Sequence, residues 1–209
     1  MRRIVLTAIA ALATGAAQAA PLYFDDFNDN SPGLNRTPAG WSVTNGSVDI
    51  VGPGVFPEIC SSDGDVCVDL DGSTFNAGRM STTNSFSLLS GQSYTLSFDY
   101  SWNYFAQILG NTMTYGVGSF TDTLTVTDIR SMSPQPYTPL TLSFIGDGSS
   151  GSIFFDHQGG DNGGIVIDNV SLSLTMSEDG PDGVVPVPAS LPLLLAGLGA
   201  FAAVRRRRG

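Results

Sequence analysis

The sequence has no lysine, and its few basic residues sit almost entirely at the two ends. Arg2, Arg3 and Arg205 to Arg208 occupy the termini, which leaves Arg36, Arg79 and Arg130 to face all nineteen acids, a net charge of −16 over the interior. So dense a negative field repels phosphate backbones and anionic headgroups, arguing against nucleic acid and peripheral membrane binding and for divalent cations and solubility outside the cell. Histidine is nearly missing too. His157, in DHQGGDNGG, would have to be the base of any Ser-His-Asp arrangement, but no Gly-x-Ser-x-Gly elbow accompanies it, and a single loop histidine reads as a surface residue. Paired carboxylates at glycosidase spacing arise by chance among nineteen acids, so no enzyme is expected. Cysteine is limited to Cys60 and Cys67, without the Cys-x-x-Cys spacing of a redox pair. No amphipathic helical window and no internal repeat are present. The apolar run near the C-terminus falls short of a full membrane span.

That run belongs to an ordered tail. Val185-Pro186-Val187-Pro188-Ala189 breaks any helix, Leu191 to Val204 is apolar, and Arg205, Arg206, Arg207 and Arg208 close it. Clustered arginines hold their end of an apolar helix in the cytoplasm, so everything before the run lies beyond the membrane. Fourteen helical residues cover about 21 Å, against roughly 30 Å of hydrocarbon. Extending backwards would bury Pro186 and Pro188, whose missing donors lipid cannot replace. The run is therefore a transient stop rather than a permanent anchor, the competing reading. The tail resembles the PEP-CTERM sorting signals of Gram-negative bacteria, in the variant with a Val-Pro-Leu-Pro-Ala core, Val187 standing where that variant has leucine. The resemblance implies processing by an exosortase, transient residence in the inner membrane and release to the cell surface or medium.

The opposite end agrees. Met1-Arg2-Arg3, an apolar stretch from Ile4 to Ala17 and the small-x-small Ala17-Gln18-Ala19 read as a signal peptide over 1–19, cut by signal peptidase. One domain over 20–176, a polar linker over 177–184 and the sorting signal over 185–209 complete the organisation. In an exported chain, Cys60 and Cys67 are most simply a disulfide.

Within the domain the pattern alternates with period two. Tyr94, Leu96, Phe98 and Tyr100 share one strand face, and Leu140, Leu142 and Phe144 another. Further strands are expected at Trp41 to Thr44, Ser47 to Val51, Val66 to Leu70, Met80 to Phe86, Thr112 to Val117, Thr121 to Thr127, Ser152 to Phe155 and Ile165 to Leu174. Asn45-Gly46 predicts a hairpin between the first two of these. Short strands and 25 glycines place the domain among all-β sandwiches.

Phe24-Asp25-Asp26-Phe27, Gly40-Trp41-Ser42-Val43, Asp69-Leu70-Asp71-Gly72, the Gly91 to Phe98 strand and the closing Ile167-Asp168-Asn169-Val170 give the domain a resemblance to galactose-binding-like jelly rolls. The resemblance implies first and last strands side by side, with a structural Ca²⁺ held by Asp25 or Asp26 and Asp168. Independently, the apolar face of the closing strand switches parity at Asp168-Asn169, which predicts a bulge beside a carboxylate that needs a partner. Two non-catalytic functions follow: a surface or matrix protein associated with exopolysaccharide, and, as the alternative, a carbohydrate-binding module using Trp102 and Tyr104, with Phe105, Asn103 and Gln107, as a stacking platform.

Overall fold

The computed structural model describes residues 20–62, 64–103, 111–127 and 136–175, and the signal peptide, linker and sorting signal lie outside them. The described residues belong to one compact unit, Ala20–Ser177, and are all-β. Its strands are β1 (Tyr23–Asp25), β2 (Trp41–Thr44), β3 (Asp49–Val51), β4 (Cys67–Asp69), β5 (Arg79–Thr82), β6 (Phe86–Ser87), β7 (Ser93–Trp102), β8 (Asn111–Val117), β9 (Phe120–Val126), β10 (Thr138–Ile145), β11 (Ser150–Gly151), β12 (Ile153–Gln158) and β13 (Ile165–Thr175). One sheet runs β10-β7-β13-β4-β3, with β1 also paired to β13; the other runs β2-β5-β12-β8-β9, and β6 pairs with β11. Every strand pair is antiparallel.

Alternation built the two facing layers. Tyr94, Leu96 and Phe98 of β7 turn inward and are buried, as do Ile165, Ile167, Val170 and Leu172 of β13. Phe98 meets Tyr115 and Phe155 of the opposite sheet edge-on, each at 5.0 Å between centroids. Phe120 and Phe144 stack at 4.5 Å where the two sheets' outer strands approach. Burial of this kind is the main favourable term in the fold.

The bulge expected in the closing strand is present: the register of β13 on β7 shifts between Asp168 and Ser171, and Asn169 takes φ 51° there. The expected hairpin at Asn45-Gly46 is absent. β2 pairs with β5 in one sheet and β3 with β4 in the other, so Asn45, at φ 60°, turns the chain between layers. A parallel bridge between Ser47 and Ala77 and the close approach of Gly46 to the Ala77 carbonyl fix that crossing. Local turn chemistry supplied the positive φ, while the burial pattern chose the pairing. The single strand expected over 80–86 divides into β5 and β6.

Cys60 and Cys67 are bonded, with their Cα atoms 5.7 Å apart. Closing this eight-residue loop stabilises by about 2.5 kcal/mol in the chain-entropy model. Together with Val51, Ile59 and Val166 the bridge forms a small second cluster, against which Tyr137 packs. At the other flank of β3, Gly33 bridges Ile50 and the Arg36 amide bonds the Val48 carbonyl, so the 26–40 segment covers an otherwise open edge.

Candidate functional site

Where the covered edge, the turn after β3 that carries Phe56 and the turn before β13 meet, the surface opens into a cavity of about 360 Å³. Asp49 of β3 and Asp69 of β4 form its floor, directly opposite each other in the strand register. Like charges so placed repel, and the fold answers with donors. Asp49 accepts the Asn35 amide (2.6 Å), the Ser73 amide (3.2 Å) and the Ser73 hydroxyl (2.6 Å). Asp69 accepts the Asp71 amide (3.0 Å), the Gly164 amide (2.9 Å) and the Asn103 side-chain amide (2.7 Å). Asn103, Asn162 and Ser73 add amide and hydroxyl groups to the lining, and Leu34, Val51 and Phe56 supply its apolar wall. Phe56 is 44% exposed and held at φ 49°, ψ 53°. A bulky residue in the left-handed region is a strained choice, of the sort that clusters at ligand sites.

Asp69 is 1% exposed. Burial first, then the charges of Asp49 and Asp71, push its pKa up to about 8 against the pull of its donors. A second buried layer lies behind. Asp71 accepts the amides of Gly160 (3.1 Å) and Asp161 (3.3 Å), clasping the turn that carries Asn162, and burial raises its pKa to about 6. A Cβ at Gly159 would collide with the Asp71 carboxylate, and one at Gly164 would lie 2.8 Å from both Asp71 and His157. The glycines of DHQGGDNGG are therefore there for close approach.

His157 is not the surface loop residue expected. It lies on β12, 4% exposed, where its Nε2 accepts the Ile165 amide at 3.3 Å. Burial lowers its pKa to about 4, only partly opposed by the nearby charge of Asp161. The alternation from Ile153 to His157 placed it inward, a signal masked by the glycines that follow.

Of the residues proposed from sequence to bind sugar, Trp102 ends β7 half-buried against the core, its Nε1 enclosed without a hydrogen-bond acceptor among the described residues. Tyr104 lies outside the described residues. Phe56, Asp49 and Asn162 were missed. The available signals were an aromatic inside the turn-rich VGPGVFPE and acids embedded in the apolar VDI and VDL strands. Of the expected calcium residues, Asp25 and Asp168 lie on the paired strands β1 and β13, and the charge of Asp26 reaches Asp168. Asp25 is committed, accepting the Phe27 amide at 2.8 Å, the Tyr23 hydroxyl at 3.1 Å and the Trp41 indole at 2.7 Å. Asp26 caps the Asn28 amide, while Asp168 accepts the Asn169 amide and has its pKa pushed to about 7 by burial, with lesser contributions from Asp65, Asp99 and Asp26. Among the described residues no three His, Cys, Asp or Glu side chains are grouped to hold a metal ion.

No protein-family model matches the chain, and no curated protein sequence matches it. Solved structures do. The arabinose-bound α-L-arabinofuranosidase MgGH51 is similar at TM-score 0.52 and 14% identity, covering 75% of this chain but 26% of that one. The K1 cleaved adhesin domain of Lys-gingipain from Porphyromonas gingivalis W83 gives TM-score 0.49 and 15% identity, over 74% and 98% of the two chains. TmCBM61, solved with β-1,4-galactotriose, gives 0.45 and 16%, over 66% and 90%. Such identities speak to the fold, and the neighbours are jelly-roll domains that include carbohydrate-binding modules.

Proposed function

We propose that the domain is a non-catalytic polysaccharide-binding module, carried by an exported, exosortase-processed protein of the cell surface or its exopolysaccharide. The cavity carries this reading. Its volume falls in the range of small-ligand sites, and an aromatic wall over a floor of fixed acceptors and amides is the combination that a sugar ring, apolar on its faces and polar on its rim, requires. This favours the carbohydrate-binding alternative over a matrix protein without a ligand site. The non-catalytic reading draws support from His157, buried and held neutral, and so poorly placed to relay protons to a bound substrate.

On a glycan array, Phe56→Ala is expected to lose at least tenfold in apparent affinity for whichever oligosaccharide the parent protein retains. Loss on Trp102→Ala with Phe56→Ala unaffected would move the site to β7, and no binding to any glycan would remove the module reading. Export is tested separately by intact mass of protein recovered from the medium of the native host. The expected species begins at Ala20 and lacks the arginine tail; full-length protein retained in the membrane would overturn it.

A further inference from the structure

The cavity has a charge of its own that a general sugar site does not need. Two buried acidic side chains, Asp49 and Asp69, face each other across its floor, and among the described residues no basic side chain lines it. The two arginines among the described residues are engaged elsewhere: Arg36 on the Ser31 carbonyl at 3.0 Å, Arg79 on Asp156 at 2.9 Å and over the Phe154 ring. A buried carboxylate without a countercharge is unfavourable, and hydrogen bonds from amides relieve only part of that. Among the described residues each of Asp49 and Asp69 receives three donors, against about four lone-pair positions per carboxylate. What the floor lacks is a donor that brings positive charge.

We propose that the cavity selects sugars bearing a free primary ammonium, as in deacetylated amino-sugar polymers, over neutral and uronic sugars. The inference rests on the carbohydrate reading above and names its substrate class. An ammonium is three donors and no acceptor, which suits a floor of acceptors. A uronate carboxylate would meet an acidic floor and, among the described residues, no basic partner, inside a domain already strongly acidic. An N-acetyl group in place of the ammonium removes the charge and two of its three donors.

Protonation gives the inference an independent readout. Asp69 faces Asp49 across the strand pair, Asp71 on its own segment and the Tyr137 hydroxyl at longer range, all acidic groups, and it is held partly neutral near pH 7. A cation on the floor favours the ionised form, so binding expels a proton.

The test is isothermal titration of the intact secreted protein at pH 5.5, where the amino sugar is already an ammonium and Asp69 still holds its proton, in EDTA, with β-1,4-linked glucosamine oligomers, their fully N-acetylated counterparts and oligogalacturonate. EDTA removes metal-bridged binding of the neutral or acidic sugars. The glucosamine oligomer is expected to bind at least tenfold tighter than the other two, to weaken with added salt, and to show heats that change with the ionisation enthalpy of the buffer. Asp49→Asn should cut that preference by about tenfold; the wild-type buffer series stands whether or not this variant folds. Equal binding of the acetylated oligomer, with no proton release, overturns the inference and leaves the module reading intact. Binding of none of the three here, with another glycan retained on the array, also overturns the inference alone, and silence on both overturns the two together.

Discussion

Between pH 5 and pH 8 the protein is expected to lose thermal stability as the pH rises, its Tm falling by roughly 10 to 25 °C. A carboxyl whose pKa is raised by folding keeps its proton in the native chain after the unfolded chain has released it. Stability therefore declines between the unfolded and the folded pKa. For Asp69 that window runs from 3.8 to about 8, and for Asp71 from 3.8 to about 6. Asp168, raised to about 7, acts in the same direction. His157 opposes them, because its depressed pKa withdraws stability as pH falls from 6.5 to about 4. Above pH 6.5 only the acids titrate differently in the two states, and below pH 6 they outnumber the histidine. At about 1.4 kcal/mol per proton per pH unit, the net loss between pH 5 and pH 8 is about 6 kcal/mol. Circular dichroism melts at four pH values measure it, and Asp69→Asn should flatten the segment above pH 6.5. A Tm that climbs steadily to pH 8 would mean that Asp69 is already ionised in the folded chain.

Phe98→Ala is expected to be the most damaging single truncation in the core, at about 4 kcal/mol. Phe98 is 1% exposed and is the ring through which β7 grips both Tyr115 and Phe155 of the facing sheet, at interplanar angles of 76° and 84°. Its removal takes away buried area and two edge-to-face contacts, and leaves a cavity between sheets whose backbones cannot close over it. Urea unfolding would show a reduced midpoint with an unchanged slope. Phe24→Ala, at a ring 56% exposed on β1, serves as the control and should change stability by no more than about 0.5 kcal/mol. Equal losses in the two variants would mean that the sheets are not held together through Phe98.

The layers were legible because alternation is a local signal that burial enforces. SYTLSFDY reads as a half-buried strand before any partner is known, and β7 is that strand. The parity switch in IVIDNVSL was equally readable, since only an extra residue lets both halves of β13 face the same core. What alternation cannot give is which strand lies next to which. Asn45-Gly46 has the chemistry of a tight hairpin, yet the segments on either side enter different sheets. The cavity was hidden for the same reason. Asp49, Ser73, Asn103 and Asn162 are scattered in sequence and meet only through pairing of β3 with β4 and β4 with β13. Asp69 and Asp71 give no local sign of burial, because nothing near them in sequence reveals that β13 and the glycine turn before it cover them.

Asp69 and the Gly164 amide that it holds are ninety-five positions apart. A chain that crosses a membrane from its N-terminus delivers one of these groups long before the other. Until the last strand has emerged and joined its neighbours, the recess has no completed floor. If the chain is exported and binds a polymer as proposed, partly translocated copies would be blind to it, and recognition would begin only outside, on molecules that have finished the journey.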